Sequence, residues 1–363
     1  MKIAILTQPL GYNYGGILQN YALQQTLKNL QHESVTLEIN YRQHISILKL
    51  IIELPKRCIT KFLLKKRKHI FSEFSNNRYG YKIRKKLRPF INKFLNHLFV
   101  NDYSDINLLH YHAFIVGSDQ VWRPLYNLDK LDKMYLSFIP QTTSIKRIAY
   151  AASFGVGVWE YNEDQTSKCS KLIQQFDAVS TREIDGIKLC EKYLNRNDVE
   201  SVLDPTLLLD NENYIGLCND IPKCQEKVLF AYILDVNSDT MTKLEDIAYA
   251  NELKVKLISA DENCTLSMEE WLAMFRDAKL VITDSYHGTV FSIIFCREFY
   301  TIANQSRGGS RFTSLLSQLE LTERMFDSIS DITMKENIDW LNINIKLNLL
   351  KEKSLNFLKT NLS

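Results

Sequence analysis

The feature that most constrains this chain is a regular alternation of short β-branched runs with amphipathic stretches of helical period. Residues 199–203, 228–234, 255–259, 280–283 and 299–303 read as buried strands. Residues 183–194, 240–253, 268–278, 288–296 and 310–319 read as helices between or after them. A strand that returns in the same direction needs a crossover helix, so this pattern predicts parallel sheets with helices on both faces. The first half opens in the same way. It has a strand at 2–7, a loop at 8–15, a helix at 16–30 and a strand at 35–40. "AFIVGSDQVW" (113–122) and "RIAYAASFG" (147–155) each read as a buried strand that breaks into a polar turn. At 363 residues the chain is long for one core and suits two α/β domains. The change is expected between about 175 and 183, giving doubly wound domains at 1–178 and 179–335 that face a cleft. A terminal helix is expected over 336–363, with Leu341, Ile345 and Leu349 at helical spacing, crossing back toward the first domain.

A composition of 45% hydrophobic and 24% charged residues describes a globular chain that can bury sizeable cores. The first residues are expected to form a strand and not a signal peptide. No run reaches 18 apolar residues, so no membrane span is expected. The seven cysteines are scattered without a Cys-X-X-Cys, which fits reduced thiols in a cytoplasm. Clustered His and Cys ligands are missing, so no metal is expected.

Residues 56–93 carry fourteen Lys or Arg and one acid, Glu73, in a chain of net charge only +3. This run lies in a helical pattern from 45 to 99, read as a basic helical insertion spanning about 45–110. "ISILKLIIELPKRCITKFLLKKRK" mixes apolar and basic residues as helices in a lipid headgroup plane do. Residues 45–93 are therefore expected to dock on an anionic membrane surface; a solvated helix face is the alternative. Nucleic-acid binding is not expected, because the aromatics are too few and irregular for a stacking platform.

Four polar clusters fall at strand ends, where ligands bind in such sheets. "GYNYGG" (11–16) lies between the first strand and first helix, where glycines admit a ligand to the backbone and the helix start offers N–H groups to an anion. It is neither a dinucleotide fingerprint nor a Walker loop, and a tight turn is the alternative. "GSDQVW" (117–122) ends an apolar strand with Asp119, which could take a proton from a sugar hydroxyl or merely cap the next segment. In "STRE" (180–183), Arg182 could clamp a carboxylate or phosphate with two parallel hydrogen bonds, or pair with Glu183 or Asp185 at the surface. "TDSYHGTVFSIIF" (283–295) holds His287, the only histidine beyond residue 112. A lone histidine is usually structural. Here Asp284, Ser285 and Gly288 flank it at a strand end, and "SRGGSRF" (306–312) brings Arg307 and Arg311 to the same edge. That combination reads as an anion site with a proton donor.

In order and spacing, "NYGGILQNYAL", "GSDQVW", "YAASFG", "STRE", "LDPTLLL" and "TDSYHGTVFSIIF" together resemble the polysaccharide pyruvyl transferase family. The resemblance implies two Rossmann-like domains in the manner of GT-B glycosyltransferases. It implies transfer of the enolpyruvyl unit of phosphoenolpyruvate to a sugar, forming a pyruvate ketal and releasing phosphate, with no metal or other cofactor. Arg182 and His287 would contact phosphoenolpyruvate, with His287 as general acid and Ser285 and Tyr286 beside it. Many relatives carry Arg-X-His where this chain has Ser285-Tyr286-His287, so Arg311 or Arg307 is expected to supply the missing arginine. Asp119 is the candidate base. Asn13, Tyr14, Gly15, Gly16, Gln19, Asp119, Gln120 and Trp122 are expected on the acceptor side. A lipid-linked oligosaccharide acceptor would place the enzyme in the cytoplasm at the inner face of the plasma membrane. A nucleotide-sugar glycosyltransferase and a non-catalytic sugar- or anion-binding protein remain as rivals.

Overall fold

The computed structural model describes residues 1–11, 13–39, 72–237, 239–259, 266–303 and 309–363. Its strands are β1 (Lys2–Leu6), β2 (Glu33–Ile39), β3 (His97–Val100), β4 (Ala113–Gly117), β5 (Lys146–Ala152), β6 (Ala178–Thr181), β7 (Glu200–Ser201), β8 (Val228–Tyr232), β9 (Lys254–Ile258), β10 (Ala278–Thr283), β11 (Glu298–Ile302) and β12 (Met325–Phe326). The longer helices are α1 (Tyr14–Asn29), α2 (Ser72–Phe94), α3 (Glu163–Ile173), α4 (Ile184–Leu194), α5 (Thr240–Ala250), α6 (Met268–Asp277), α7 (Tyr286–Ile294), α8 (Gly309–Gln318) and α9 (Trp340–Asn361).

The strands form two all-parallel sheets, ordered β3-β2-β1-β4-β5-β6-β7 and β12-β11-β10-β8-β9. Both are doubly wound, and together they make a two-domain, GT-B-like α/β architecture. The first sheet reverses its winding between β1 and β4, the second between β8 and β10. A crevice opens beyond the carboxyl ends of the strands at such a switch point. The central strands are buried on both faces, which is why they read as continuous apolar runs.

Three expectations are corrected. The sheets do not part near residue 178: β6 pairs with β5 and β7 pairs with β6, so the first sheet runs to Ser201 and the second begins at Val228. The segment just before residue 178 is α3, a crossover within the first sheet, begun by an Asn162–Gln165 capping box. The region from 45 to 99 is not helical throughout, because 97–100 form the edge strand β3 beside β2. The third concerns the apolar stripe of the terminal helix. Leu341, Ile345 and Leu349 are exposed, while Ile343, Phe357 and Leu358 are buried. α9 packs on the first sheet: the Phe357 ring meets Tyr150 at 6.1 Å, and Leu203 N–H donates to Ser354 Oγ at 2.9 Å.

In the described part of the basic insertion, Ile83, Leu87, Phe90 and Ile91 are buried one helical turn apart, with Phe90 against Tyr21 of α1. The apolar face of α2 is thus committed to the protein, and Arg84, Lys85 and Lys86 point outward. An apolar-face-down helix on a membrane is not what this part of the chain forms. The rest of the run, 40–71, lies outside the described residues. No described helix is long and apolar enough to cross a membrane.

One apolar cluster joins the two halves. It runs from Ile3, Ile17 and Leu18 to Trp271, Val290, Phe291 and Phe357. Twelve of the sixteen residues of α1 are buried, so this helix is enclosed and not a surface helix.

Candidate functional site

The carboxyl ends of the two sheets meet where α1 and α7 start. α1 follows β1 and begins at Tyr14, so Gly15 and Gly16 lie in its first turn and not in the preceding loop. α7 follows β10; Ser285 caps it by accepting the Gly288 N–H at 3.4 Å, a structural duty for one of the proposed ligand residues. Asp284 is likewise engaged, accepting the N–H groups of Leu234 and Asp235 at 2.7 and 2.9 Å and holding the β8 loop at the second switch point.

The two starts meet at the glycine pair. A Cβ on Gly15 would stand 2.0 Å from both Cγ and Nδ1 of His287 and 2.5 Å from Cε1. Those distances put it over the ring, so the imidazole lies flat on the Gly15 backbone. Any side chain at 15 would displace it. A Cβ on Gly16 would meet Asp119 Oδ2 at 3.2 Å. Asp119 stands at the first switch point with φ +65°, its Oδ2 accepting from Asn13 Nδ2 at 3.2 Å and its Oδ1 from the Gln120 N–H at 2.8 Å. His287 of one domain and Asp119 of the other thus flank adjacent residues of α1.

Arg182 reaches the same place from the end of β6. It is 4% exposed, donates from Nε to Glu183 Oε1 at 3.2 Å and from Nη1 to Asp204 Oδ2 at 3.0 Å, and lies 4.5 Å over the Tyr286 ring. Its pairing with Glu183 is therefore real but buried, not a surface contact. Arg182 Nη2 is buried without a hydrogen-bond partner among the described residues. Arg311 lies 5.5 Å from the same Tyr286 ring, so two guanidinium groups share one aromatic neighbour. Arg307 falls outside the described residues.

Electrostatics follow from this crowding. Burial works against the Arg182 charge, but Glu183, Tyr286 and Asp204 outweigh it and hold the group firmly cationic. Burial, and then the Arg182 cation, push Arg311 below its usual range. Burial holds the Tyr286 phenol in its neutral form. Two guanidinium groups meet here among the carboxylates of Glu183, Asp204 and Asp119, and one of them keeps an unused buried donor.

Asp204 is the site residue that sequence reasoning passed over. It is 1% exposed, in the loop after β7. Oδ2 accepts from Gln19 Nε2 and Arg182 Nη1 and lies 3.7 Å from His287 Nε2; Oδ1 accepts from the Thr206 N–H at 3.1 Å and hydroxyl at 2.7 Å. Burial pushes its carboxyl up, yet His287, Arg182 and Thr206 outweigh that and hold it well below the usual carboxylate range. The signal was present in "LDPTLLL", where an acid follows a very short strand. Glu183 was also undervalued: its Oε1 accepts from the Ser153 hydroxyl at 2.6 Å as well as from Arg182.

Several acceptor-side expectations are corrected. Trp122 has no exposed surface, donates from Nε1 to the Met134 carbonyl at 3.1 Å and stacks on Tyr135 at 4.9 Å, so it belongs to the first core. Tyr14 stacks on Trp271 at 5.3 Å and donates its hydroxyl to the Leu266 carbonyl at 2.7 Å, so it joins the domains. Gln19 is 2% exposed and serves Asp204. Gln120 is buried and its Oε1 accepts from Arg123 at 3.2 Å. Asn13 alone of this group is exposed. Among the described residues no three His, Cys, Asp or Glu side chains are grouped to hold a metal.

Two doubly wound sheets whose switch points meet at the start of α1, furnished with arginines, a histidine and carboxylates, define a GT-B-like α/β fold. The chain belongs to the polysaccharide pyruvyl transferase family, whose sequence model matches residues 13–306, and it is a transferase. No curated protein matches it. Among solved structures it is similar to the UDP-GlcNAc 2-epimerase of Methanocaldococcus jannaschii (11% identity, 97% of this chain and 100% of that one, TM-score 0.39). It is also similar to Arabidopsis thaliana UGT89C1 complexed with UDP-L-rhamnose (10%, 98% and 94%, 0.46) and to the wall teichoic acid polymerase TagF (8%, 99% and 82%, 0.44). Likenesses this distant say nothing of substrate.

Proposed function

We propose that the enzyme moves the enolpyruvyl group of phosphoenolpyruvate onto a sugar of a surface polysaccharide precursor, forming a cyclic pyruvate ketal and releasing phosphate. The observation that carries this reading is the paired guanidinium groups of Arg182 and Arg311 about Tyr286, with Arg182 Nη2 unused, next to His287. A small dianion or trianion relieves their repulsion, and the starts of α1 and α7 add favourable backbone dipoles. Arg311 takes the place of the arginine that relatives carry two residues before the histidine.

The chemistry asks for a proton at the terminal carbon of the enol phosphate. His287 delivers it, which leaves an oxocarbenium-like carbon. One sugar hydroxyl adds, its proton passing to Asp119 across the Gly15–Gly16 pair. A second hydroxyl then displaces phosphate, its proton returning to His287, and the arginines hold the phosphate as it leaves. A lipid-linked acceptor and an anionic membrane surface are part of the same proposal. They draw support from the exposed Arg84, Lys85 and Lys86 of α2.

Isothermal titration calorimetry tests the donor. Phosphoenolpyruvate should bind, and UDP-sugars should not compete for its site. Binding of a UDP-sugar with no heat from phosphoenolpyruvate would replace this reading with a nucleotide-sugar glycosyltransferase.

A further inference from the structure

We propose that Asp204 is a positioning residue that accepts the Nε2–H of His287, so that Nδ1 is the ring nitrogen that delivers the proton. The inference rests on the proposed function for the meaning of that proton, but its geometry stands alone. His287 Nε2 is sealed from solvent with no hydrogen-bond partner among the described residues, and Asp204 Oδ2 lies 3.7 Å from it. The two nitrogens of an imidazole point away from each other. If Nε2 faces Asp204, Nδ1 faces away from it. The ring face is held flat on Gly15, which fixes the plane in which Nδ1 points.

Asp204 is itself anchored from three elements. Gln19 reaches it from α1, Arg182 from the end of β6, and Thr206 from its own loop. Leu203, its neighbour, is tied through N–H to Ser354 of α9 and through C=O to the Tyr150 hydroxyl at 3.1 Å. The charge balance leaves Asp204 available to the histidine. Arg182 contacts both Glu183 and Asp204, so one cation faces two carboxylates. Tyr286 of α7 and the neutral phenols of Tyr150 and Tyr214 also face Asp204, while Arg311 of α8 and Asp119 beyond β4 face Arg182.

The test uses the full-length wild-type enzyme first. Ring ¹H–¹⁵N correlations, with His287 identified by loss of its signals in His287→Gln, report which nitrogen keeps the proton when the ring is neutral. The proposal expects Nε2–H; a proton on Nδ1 overturns it. This outcome does not depend on the donor, so it separates from failure of the pyruvyl transfer itself. Turnover then checks the consequence. Asp204→Asn should lower kcat by about 10²-fold and move the alkaline limb of its pH profile down by about one unit, whereas Asp204→Glu, which keeps the charge, should hold the limb. An unmoved limb in the asparagine variant overturns the proposal. If that variant fails to fold, the wild-type tautomer alone decides.

Discussion

At the scale of single residues, the account rests on His287 and the glycine beneath it. His287→Ala should reduce kcat by about 10²–10⁴-fold with an unchanged circular dichroism spectrum. Gly15→Ala should reduce it comparably, because its Cβ would stand 2.0 Å from the ring. Activity within tenfold of wild type in either variant would contradict the acid role. The two arginines should separate in their effects. Arg311→Ala should weaken phosphoenolpyruvate binding by about 1–3 kcal/mol and lower the melting temperature less than Arg182→Lys. Arg182→Lys should lose both, since Arg182 also holds Glu183 and Asp204 in a buried network. Equal melting temperatures for the two variants would refute that division. Asp204 adds an acid sensitivity. Its carboxyl is held below the usual range in the folded protein, so its contribution is complete above the unfolded value of about 3.9 and is lost as pH falls below it. Melting temperature should fall more steeply in wild type than in Asp204→Asn as pH drops from 5 to 3. Parallel curves would mean that the network does not depend on that charge.

At the scale of elements, the alternation of strand and helix patterns was legible because central parallel strands are apolar on both faces and their crossovers are not. The misreadings share a cause, which is burial that pattern alone does not report. Leu341, Ile345 and Leu349 are spaced as a core stripe, yet α9 turns its Ile343 and Phe357 side inward. The polar turn after β4 announced Asp119, but Trp122 in the same motif is a core residue. Asp204 follows a stretch legible as a strand, but its role depends on Gln19, Arg182 and His287, which lie far away in the sequence. The basic insertion shows the reverse. Its charge was plain in the sequence, while its apolar side was already spent on α1. Membrane attachment through the described part of α2 should therefore be electrostatic, worth about 1 kcal/mol per Lys or Arg near the surface. Liposome co-sedimentation should require anionic lipid, weaken steeply with salt and fall when Arg84, Lys85 and Lys86 are changed to Gln. Equal sedimentation with neutral vesicles, or none with either, would leave α2 an ordinary solvated face.

At the scale of the whole molecule, two switch points are brought to one crevice by a core that continues through both domains. α1 is the common wall: Gly15 supports His287 of the second domain, Gly16 adjoins Asp119 of the first, and Gln19 holds Asp204. The terminal helix crosses back to fix the Asp204 loop through Ser354. The central claim is that this crevice joins pyruvate to a sugar. Incubation with phosphoenolpyruvate and the host's lipid-linked oligosaccharides, followed by mass spectrometry, tests it most directly. The account predicts an acceptor that gains one pyruvate ketal, with one phosphate released per ketal and none from His287→Ala. An unmodified acceptor, or one that gains a sugar from a nucleotide donor, would contradict it.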